Sequence, residues 1–266
     1  MSKLYVATVA MDPVWADKGK NSELTRQHVR RVLELYPQTQ IILFPEMSLT
    51  GYILDDRNQE MAEPLNGPTV QAVQEIAQEY KVSIVASMIG QGEPKPANTT
   101  FVIDADGKFL ASYNKNHLYM ESAEPKLYSP GTTLATFSVS DWKCGLSTCF
   151  DIRYPRLFEA YRKSGVDCMF SPFNWVQGRN KAGLFDCLIK ARAHENQFFF
   201  VAVDRKGSDP NASYHGLSLV VNPYGEDIAQ REDDLYAFAE LDKAEILKLR
   251  SALPLRESFK EKYRVC

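Results

Sequence analysis

Cys149 ends the run Cys144-Gly145-Leu146-Ser147-Thr148, which reads as a β-strand, and precedes a turn into the Pro155 segment. Glu46 follows the apolar strand Ile41 to Phe44 through Pro45, and Lys115 follows the strand Phe109 to Tyr113. A thiol is a weak nucleophile until it loses its proton, and a neighbouring carboxylate can accept that proton. A nearby ammonium favours the thiolate and then stabilises the oxyanion formed when sulfur attacks an amide carbonyl. The backbone N–H of Phe150, the residue after the thiol, is a natural second oxyanion donor. One good donor of this kind lowers the barrier by about 3 kcal/mol. Together these groups point to hydrolysis of a carbon–nitrogen bond. Ammonia or an amine leaves, a thioester remains, and water activated by the same glutamate releases the acid.

Singly, each residue also suits an ordinary structural role. A cysteine at a strand end serves as a small core hydrophobe, Glu46 can cap a loop, and Lys115 can be a solvated turn residue. What joins them is position, since each lies just past the carboxyl end of an expected strand. In open α/β sheets that rim is where loops surround a ligand crevice.

The elements that carry these loops follow from periodicity. Lys3 to Met11 is β-rich. Ser22 to Tyr36 places Leu24, Val32, Leu33 and Leu35 at helical spacing and stops before Pro37. Gln40 to Phe44 has the continuous apolar character of a buried strand. Thr69 to Tyr80 reads as helix and Val82 to Met88 as strand. Thr99 to Ile103 and Lys108 to Tyr113 flank Asp104-Ala105-Asp106-Gly107 as a hairpin. Thr136 to Val139 and Lys143 to Thr148 form a further strand pair. Pro155 to Lys163 is a short helix with Gly165 just beyond its end. Val166 to Phe170 is strand, Asn180 to Asn196 helix and Phe198 to Val203 strand. Leu217 to Val221 and Asp227 to Gln230 bracket Asn222-Pro223-Tyr224-Gly225 as a second hairpin. One α/β domain is expected over residues 1–266, with a C-terminal tail from about residue 242 that packs at an oligomer interface.

Composition narrows the function classes. The chain has 266 residues, 44% hydrophobic and 24% charged, which is ordinary for a globular protein. Its 31 Lys and Arg against 34 Asp and Glu leave a net charge of −3, without the basic excess that phosphate backbones attract. No nucleic-acid partner is expected. The apolar segment Leu4 to Met11 is too short to span a membrane and has no cleavage site after it, so no membrane association is expected. The cysteines, Cys144, Cys149, Cys168, Cys187 and Cys266, are irregularly spaced and show no CxxC pattern. Reduced thiols in a cytoplasm are the expectation. His28, His117, His194 and His215 show no ligand spacing, so no metal or other cofactor is expected.

The words around the three reactive residues carry a resemblance. Phe44-Pro45-Glu46-Met47, with Gly51-Tyr52 shortly after, resembles the glutamate motif of the nitrilase (carbon–nitrogen hydrolase) superfamily. Tyr113-Asn114-Lys115-Asn116-His117-Leu118 resembles its lysine motif, and Cys149-Phe150-Asp151-Ile152-Arg153-Tyr154-Pro155 its cysteine motif. Ala191-Arg192-Ala193-His194-Glu195-Asn196-Gln197 and Asn222-Pro223-Tyr224-Gly225-Glu226 match further motifs in the family's order. The resemblance implies a four-layer α-β-β-α sandwich that dimerises face to face. It implies Glu46 as general base, Lys115 as oxyanion stabiliser and Cys149 as nucleophile. It also implies a second glutamate that positions substrate and water, with Glu124 chosen and Glu121 as the fallback.

The residues after the nucleophile resemble the ω-amidase branch, whose members cleave the terminal amide of α-keto acid amides such as 2-oxoglutaramate and 2-oxosuccinamate. Ser171-Pro172-Phe173-Asn174-Trp175 and the segment Asp204 to Asp209 resemble the same branch. Arg156 after Pro155 departs from it, as does Gly183-Leu184-Phe185-Asp186, which lacks a His-Trp pair. Both weigh on the substrate rather than on the catalytic set. A small-molecule amide is the expected substrate and a homodimer or higher homo-oligomer the expected assembly. Arg153 is a candidate cation for a substrate carboxylate, with an ion pair to Asp151 as the alternative. Trp175 and Phe173 are candidates for an apolar wall or for core packing. Competing functions are aliphatic amidase, N-carbamoyl amine hydrolase or nitrilase activity within the family. Outside it stand a Cys–His hydrolase with His117 or His194 as base and a non-catalytic nitrilase-like binding module.

Overall fold

The computed structural model describes residues 2–255. Its first sheet contains β1 (Lys3–Val9), β2 (Ile41–Leu43), β3 (Ser83–Gly90), β4 (Ala97–Ile103) and β5 (Phe109–Asn114). The second is built from β6 (Thr136–Val139), β7 (Trp142–Leu146), β8 (Cys168–Phe173) and β9 (Phe199–Asp204). A small ribbon, β10 (Lys206–Ser208) and β11 (Ser213–His215), follows, then β12 (Ser218–Val221), β13 (Gln230–Arg231) and β14 (Tyr236–Asp242). The orders are β13-β14-β1-β2-β3-β4-β5 and β12-β9-β8-β7-β6. Helices intervene as α1 (Lys18–Leu35), α2 (Arg57–Met61), α3 (Pro68–Tyr80), α4 (Glu124–Leu127), α5 (Pro155–Lys163), α6 (Lys181–Asn196) and α7 (Lys243–Ala252).

Alternation along the strands explains the layering. Val6, Ile41, Leu43 and Val85 face one way and share a core with Leu146, Phe170, Val201 and Val203 of the second sheet. Their neighbours Ala7, Val9, Ile42 and Ile84 face the other way, against Val29 and Val32 of α1 and Val70, Val73 and Ile76 of α3. On the far side, Met169, Phe200 and Ala202 pack against Phe158 and Tyr161 of α5 and Ile189 and Ala193 of α6. The result is the four-layer α-β-β-α sandwich expected from the motifs.

Local chemistry sets the helix ends. Asp17 caps α1 by accepting from Lys20 N at 2.9 Å, so α1 begins four residues before the apolar pattern that announced it. Pro68 and Pro155 open α3 and α5, where a missing N–H costs nothing. The hairpin β4–β5 forms around the expected turn Asp104 to Gly107, with a register shift between Val102 and Ile103.

The hairpin expected across Asn222 to Gly225 forms only at its turn. Val221 and Asp227 make one bridge, after which the chain crosses to the first sheet and Gln230–Arg231 pairs with β14. Strand β14, which the periodicity reading passed over, is antiparallel to β1 from Lys3↔Asp242 to Val9↔Tyr236. The tail from about 242 opens with α7, whose Ile246 and Leu249 are buried in this chain. The rest of that tail, with Cys266, lies outside the described residues. Among the described residues no helix is long and apolar enough to cross a membrane.

Candidate active site

Strand direction brings the reactive residues together. β2 is parallel to β3, and two antiparallel steps through β4 return β5 to the same direction, so β2 and β5 end on one rim. Glu46 and Lys115 follow those ends. The second sheet contributes β7 and the parallel β8, whose ends lead into Cys149 and Asn174. The site therefore lies where the rims of the two sheets meet.

At its floor, Lys115 Nζ donates to Glu46 Oε1 and to Glu124 Oε1, each at 2.9 Å. All three side chains are buried, and Asn98 Nδ2 donates to Glu46 Oε1 at 2.6 Å and to Glu124 Oε1 at 3.4 Å. The Asn174 peptide bridges base and thiol. Its N–H donates to Glu46 Oε2 at 2.8 Å, while its carbonyl accepts from Cys149 Sγ at 3.8 Å. Tyr119 N donates to Glu124 Oε2 at 2.5 Å. Glu121, the fallback, is exposed and takes the Tyr119 hydroxyl instead, away from Lys115.

Cys149 opens a 3₁₀ turn, Cys149–Arg153, with φ of +46°, a left-handed conformation that costs about 1–3 kcal/mol in a non-glycine residue. Asp151 holds it there. Its Oδ2 accepts from Thr148 N at 2.9 Å and from the Tyr113 hydroxyl at 2.6 Å. Its Oδ1 accepts from His117 N at 2.9 Å and contacts His117 Nδ1 at 2.7 Å. One buried carboxylate thus joins the cysteine turn to both sides of the lysine motif, a role that the sequence reading did not assign. His117 is committed to Asp151 and stacks on Tyr154, and His194 is exposed with Nδ1 at Pro223 O. Neither is hydrogen-bonded to the thiol.

Burial pushes the Cys149 thiol well above its usual range and the Glu46 carboxylate pushes the same way, while Lys115 pulls it back. Burial also raises Glu46, against the pull of Lys115. For Lys115 burial acts downward, but the Glu124 and Glu46 carboxylates outweigh it and hold the ammonium well above the ordinary lysine value. The resting thiol is therefore protonated beside a carboxylate of enhanced basicity and a permanent cation. That arrangement is chemically suited to passing a proton from sulfur to a carboxylate, with a positive charge nearby.

The thiol opens into a small cavity of about 260 Å³ with its solvent-open mouth included. Phe150, Arg153 and Trp175 line it, as do Tyr119, Asn174 and Lys181. Arg153 does not pair with Asp151; its guanidinium lies 4.9 Å from the Trp175 ring centre, and its buried Nε has no hydrogen-bond partner among the described residues. Phe173 belongs to the core, packed edge-on against Phe185, so Trp175 alone of that pair forms wall. Trp175 is fixed by Asp204, whose Oδ1 accepts from its N–H at 2.7 Å, and by the Lys181 carbonyl, which accepts from its indole Nε1 at 2.7 Å. Asn98 was missed because its partners are distant in sequence, as is the Glu46 partner of Asn174, and Lys181 because a lysine six residues from Trp175 shows no pattern that points it at its ring. The only local signal was Asn174 and Trp175 at a strand end.

Comparisons with known proteins identify the family. The carbon-nitrogen hydrolase family profile matches residues 5–250. The omega-amidase NIT3 of Saccharomyces cerevisiae is 29% identical over 271 residues, covering 95% of this chain and 92% of the relative. The 2-oxoglutaramate amidase of Bacillus subtilis is 27% identical over 247 residues, 91% of this chain and 93% of that protein. The crystal structure of S. cerevisiae Nit3, a member of branch 10 of the nitrilase superfamily, superposes with a TM-score of 0.82 at 26% identity, covering 95% of each chain. With the two-sheet fold, the rim site and a family match over nearly the whole length, this chain belongs to the carbon–nitrogen hydrolase family, the nitrilase superfamily of enzymes.

Proposed function

We propose that this protein releases ammonia from a small linear amide, the ω-amide of an α-keto acid such as 2-oxoglutaramate or 2-oxosuccinamate, through a thioester on Cys149. Glu46 takes the thiol proton as sulfur attacks the amide carbon. Lys115, with the Phe150 N–H, stabilises the oxyanion. The carbon–nitrogen bond then breaks, Glu46 returns the proton to the departing nitrogen, and ammonia leaves. Glu46 next deprotonates a water positioned with Glu124, and attack on the thioester frees the carboxylic acid and the thiol.

The observation that carries this reading is the single buried network in which Lys115 Nζ joins Glu46 and Glu124 while the Asn174 peptide ties Glu46 to Cys149. Support for a carboxylate-bearing substrate comes from Arg153, which lines the same cavity with no carboxylate of the described chain paired to it. The two amidases named among its relatives support the ω-amide. We further propose, from the family resemblance, a cytoplasmic homodimer; a strict monomer in a solution mass measurement would count against the assembly.

The test is an ammonia-release screen over 2-oxoglutaramate, glutamine, simple aliphatic amides, nitriles and N-carbamoyl amines. Activity on 2-oxoglutaramate, with a trapped thioester mass on Cys149, is expected. Activity confined to nitriles or carbamoyl amines sinks the ω-amide. Near-total loss in His117→Asn with Glu46→Gln still active would overturn Glu46 as base.

A further inference from the structure

Charge is distributed unevenly along the cavity. Buried at the Cys149 end, behind the residues that line it, the carboxylates of Glu46 and Glu124 share the one ammonium of Lys115, so a carboxylate carried by a substrate is disfavoured at that end. At the mouth the sign reverses. Arg153 and Lys181 both lie against the Trp175 indole, their charged groups 4.9 Å and 5.5 Å from its ring centre. Neither cation pairs with a carboxylate among the described residues. Lys181 Nζ also stands 5.9 Å from the Tyr119 ring, which places it over the opening. It is the first residue of α6, so the positive end of a sixteen-residue helix adds to its charge.

Beneath these cations, the Asn174 side chain lines the cavity at 6% exposure, and neither of its amide atoms has a hydrogen-bond partner among the described residues. Buried amides are ordinarily satisfied, because an unpaired one carries its full desolvation cost. An amide left open beside the nucleophile is matched to a polar group on a bound molecule.

We propose that Lys181 is a specificity-determining residue that grips the carboxylate at the far end of the substrate together with Arg153, while the Asn174 amide bonds the polar group between that carboxylate and the scissile amide. The inference rests on the amidase reading for its substrate, and it names the class: monoamides of dicarboxylic acids, taken amide first. Excess negative charge behind Cys149 and the two cations against Trp175 set the direction of entry.

Binding can be read without turnover. Neutral iodoacetamide alkylates Cys149, peptide mapping by mass distinguishes it from Cys187 and Cys266, and glutarate or butyramide is titrated as protectant. A charge-assisted hydrogen bond contributes about 1.5–3 kcal/mol. The expected result is a glutarate-to-butyramide ratio of half-protecting concentrations that rises about tenfold in Lys181→Met, the fold-change matching the low end of that range. Lys181→Arg restores the ratio to within about threefold of wild type, because the cation is kept. An unchanged ratio in Lys181→Met, or no protection of the wild-type protein by glutarate, overturns the proposal. Ammonia release from 2-oxoglutaramate is scored separately. Its absence with glutarate protection intact strikes the amidase reading and leaves the dicarboxylate site standing.

Discussion

Replacing Lys115 by Met removes the cation that both Glu46 Oε1 and Glu124 Oε1 accept from at 2.9 Å. The carboxylates keep Asn98, the Asn174 N–H and the Tyr119 N–H as donors, but these carry no charge to offset theirs. Breaking a buried ion pair by deleting one partner costs about 3–5 kcal/mol. At least one carboxylate then holds a proton in the folded state. Glu46 is already raised by burial with Lys115 opposing, so its folded value climbs further once Lys115 is gone. The sign follows. A carboxyl whose folded pKa is raised binds more protons folded than unfolded, so its contribution is complete below the unfolded value of about 4.3 and is lost as pH rises toward the folded value. One retained proton gives about 1.4 kcal/mol per pH unit, or about 2.7 kcal/mol between pH 5 and 7. Urea unfolding of wild type and Lys115→Met at pH 5, 6 and 7 measures this, provided the m-values agree. The gap between the proteins should widen with pH, and adding Glu46→Gln should narrow it again. Parallel stability curves for wild type and Lys115→Met would refute the shared-cation account. Ammonia release by Lys115→Met should fall by about 10²–10³, the loss expected for one oxyanion donor.

Asp151→Asn keeps one acceptor oxygen and turns the other position into a donor, so the Thr148 N and Tyr113 hydroxyl bonds at Oδ2 and the His117 N bond at Oδ1 can no longer all be kept. A loss of about 3 kcal/mol in unfolding free energy is expected from two charge-assisted bonds, together with a lower kcat as Cys149 and Lys115 shift; stability within 1 kcal/mol of wild type (roughly one neutral bond) would count against its linking role. Gly131→Ala sets a methyl 2.1 Å from the Asn114 carbonyl oxygen, while the Gly131 N–H is bonded to the Lys115 carbonyl at 2.9 Å. Overpacking of this kind costs about 1–3 kcal/mol, and it should lower kcat because the lysine loop must move. A thermal midpoint and kcat equal to wild type would show that the loop accommodates the methyl freely.

Much of the architecture was legible because it is written in short-range patterns. α3 and α5 were recognised to within about a residue, and β4–β5 with its turn was recognised as well. β14 was not, although Tyr236, Phe238 and Leu241 are buried. Its partner is β1, at the other end of the chain, and an alternating strand does not state what it pairs with. The misread hairpin after Asn222 has the same origin, since its turn is local and its second strand belongs to the other sheet.

The same division runs through the site. Glu46, Lys115 and Cys149 stand out in the sequence because they share a place past strand ends and sit in family-like words, although residue type alone would not distinguish any one of them. The sequence also carries the family and the order of its motifs. Asn98, Asp151, Asn174 and Lys181 acquire their meaning only across the fold. Asn98 meets Glu46 from 52 positions away, Tyr113 meets Asp151 from 38, and the Asn174 N–H meets Glu46 from 128. That Glu124 rather than Glu121 meets Lys115, and that Arg153 lies against Trp175 rather than Asp151, is likewise visible only in three dimensions. Hydrogen bonds and charge pairing act over a few ångströms in space, and only the packing of the two sheets brings those residues within that range.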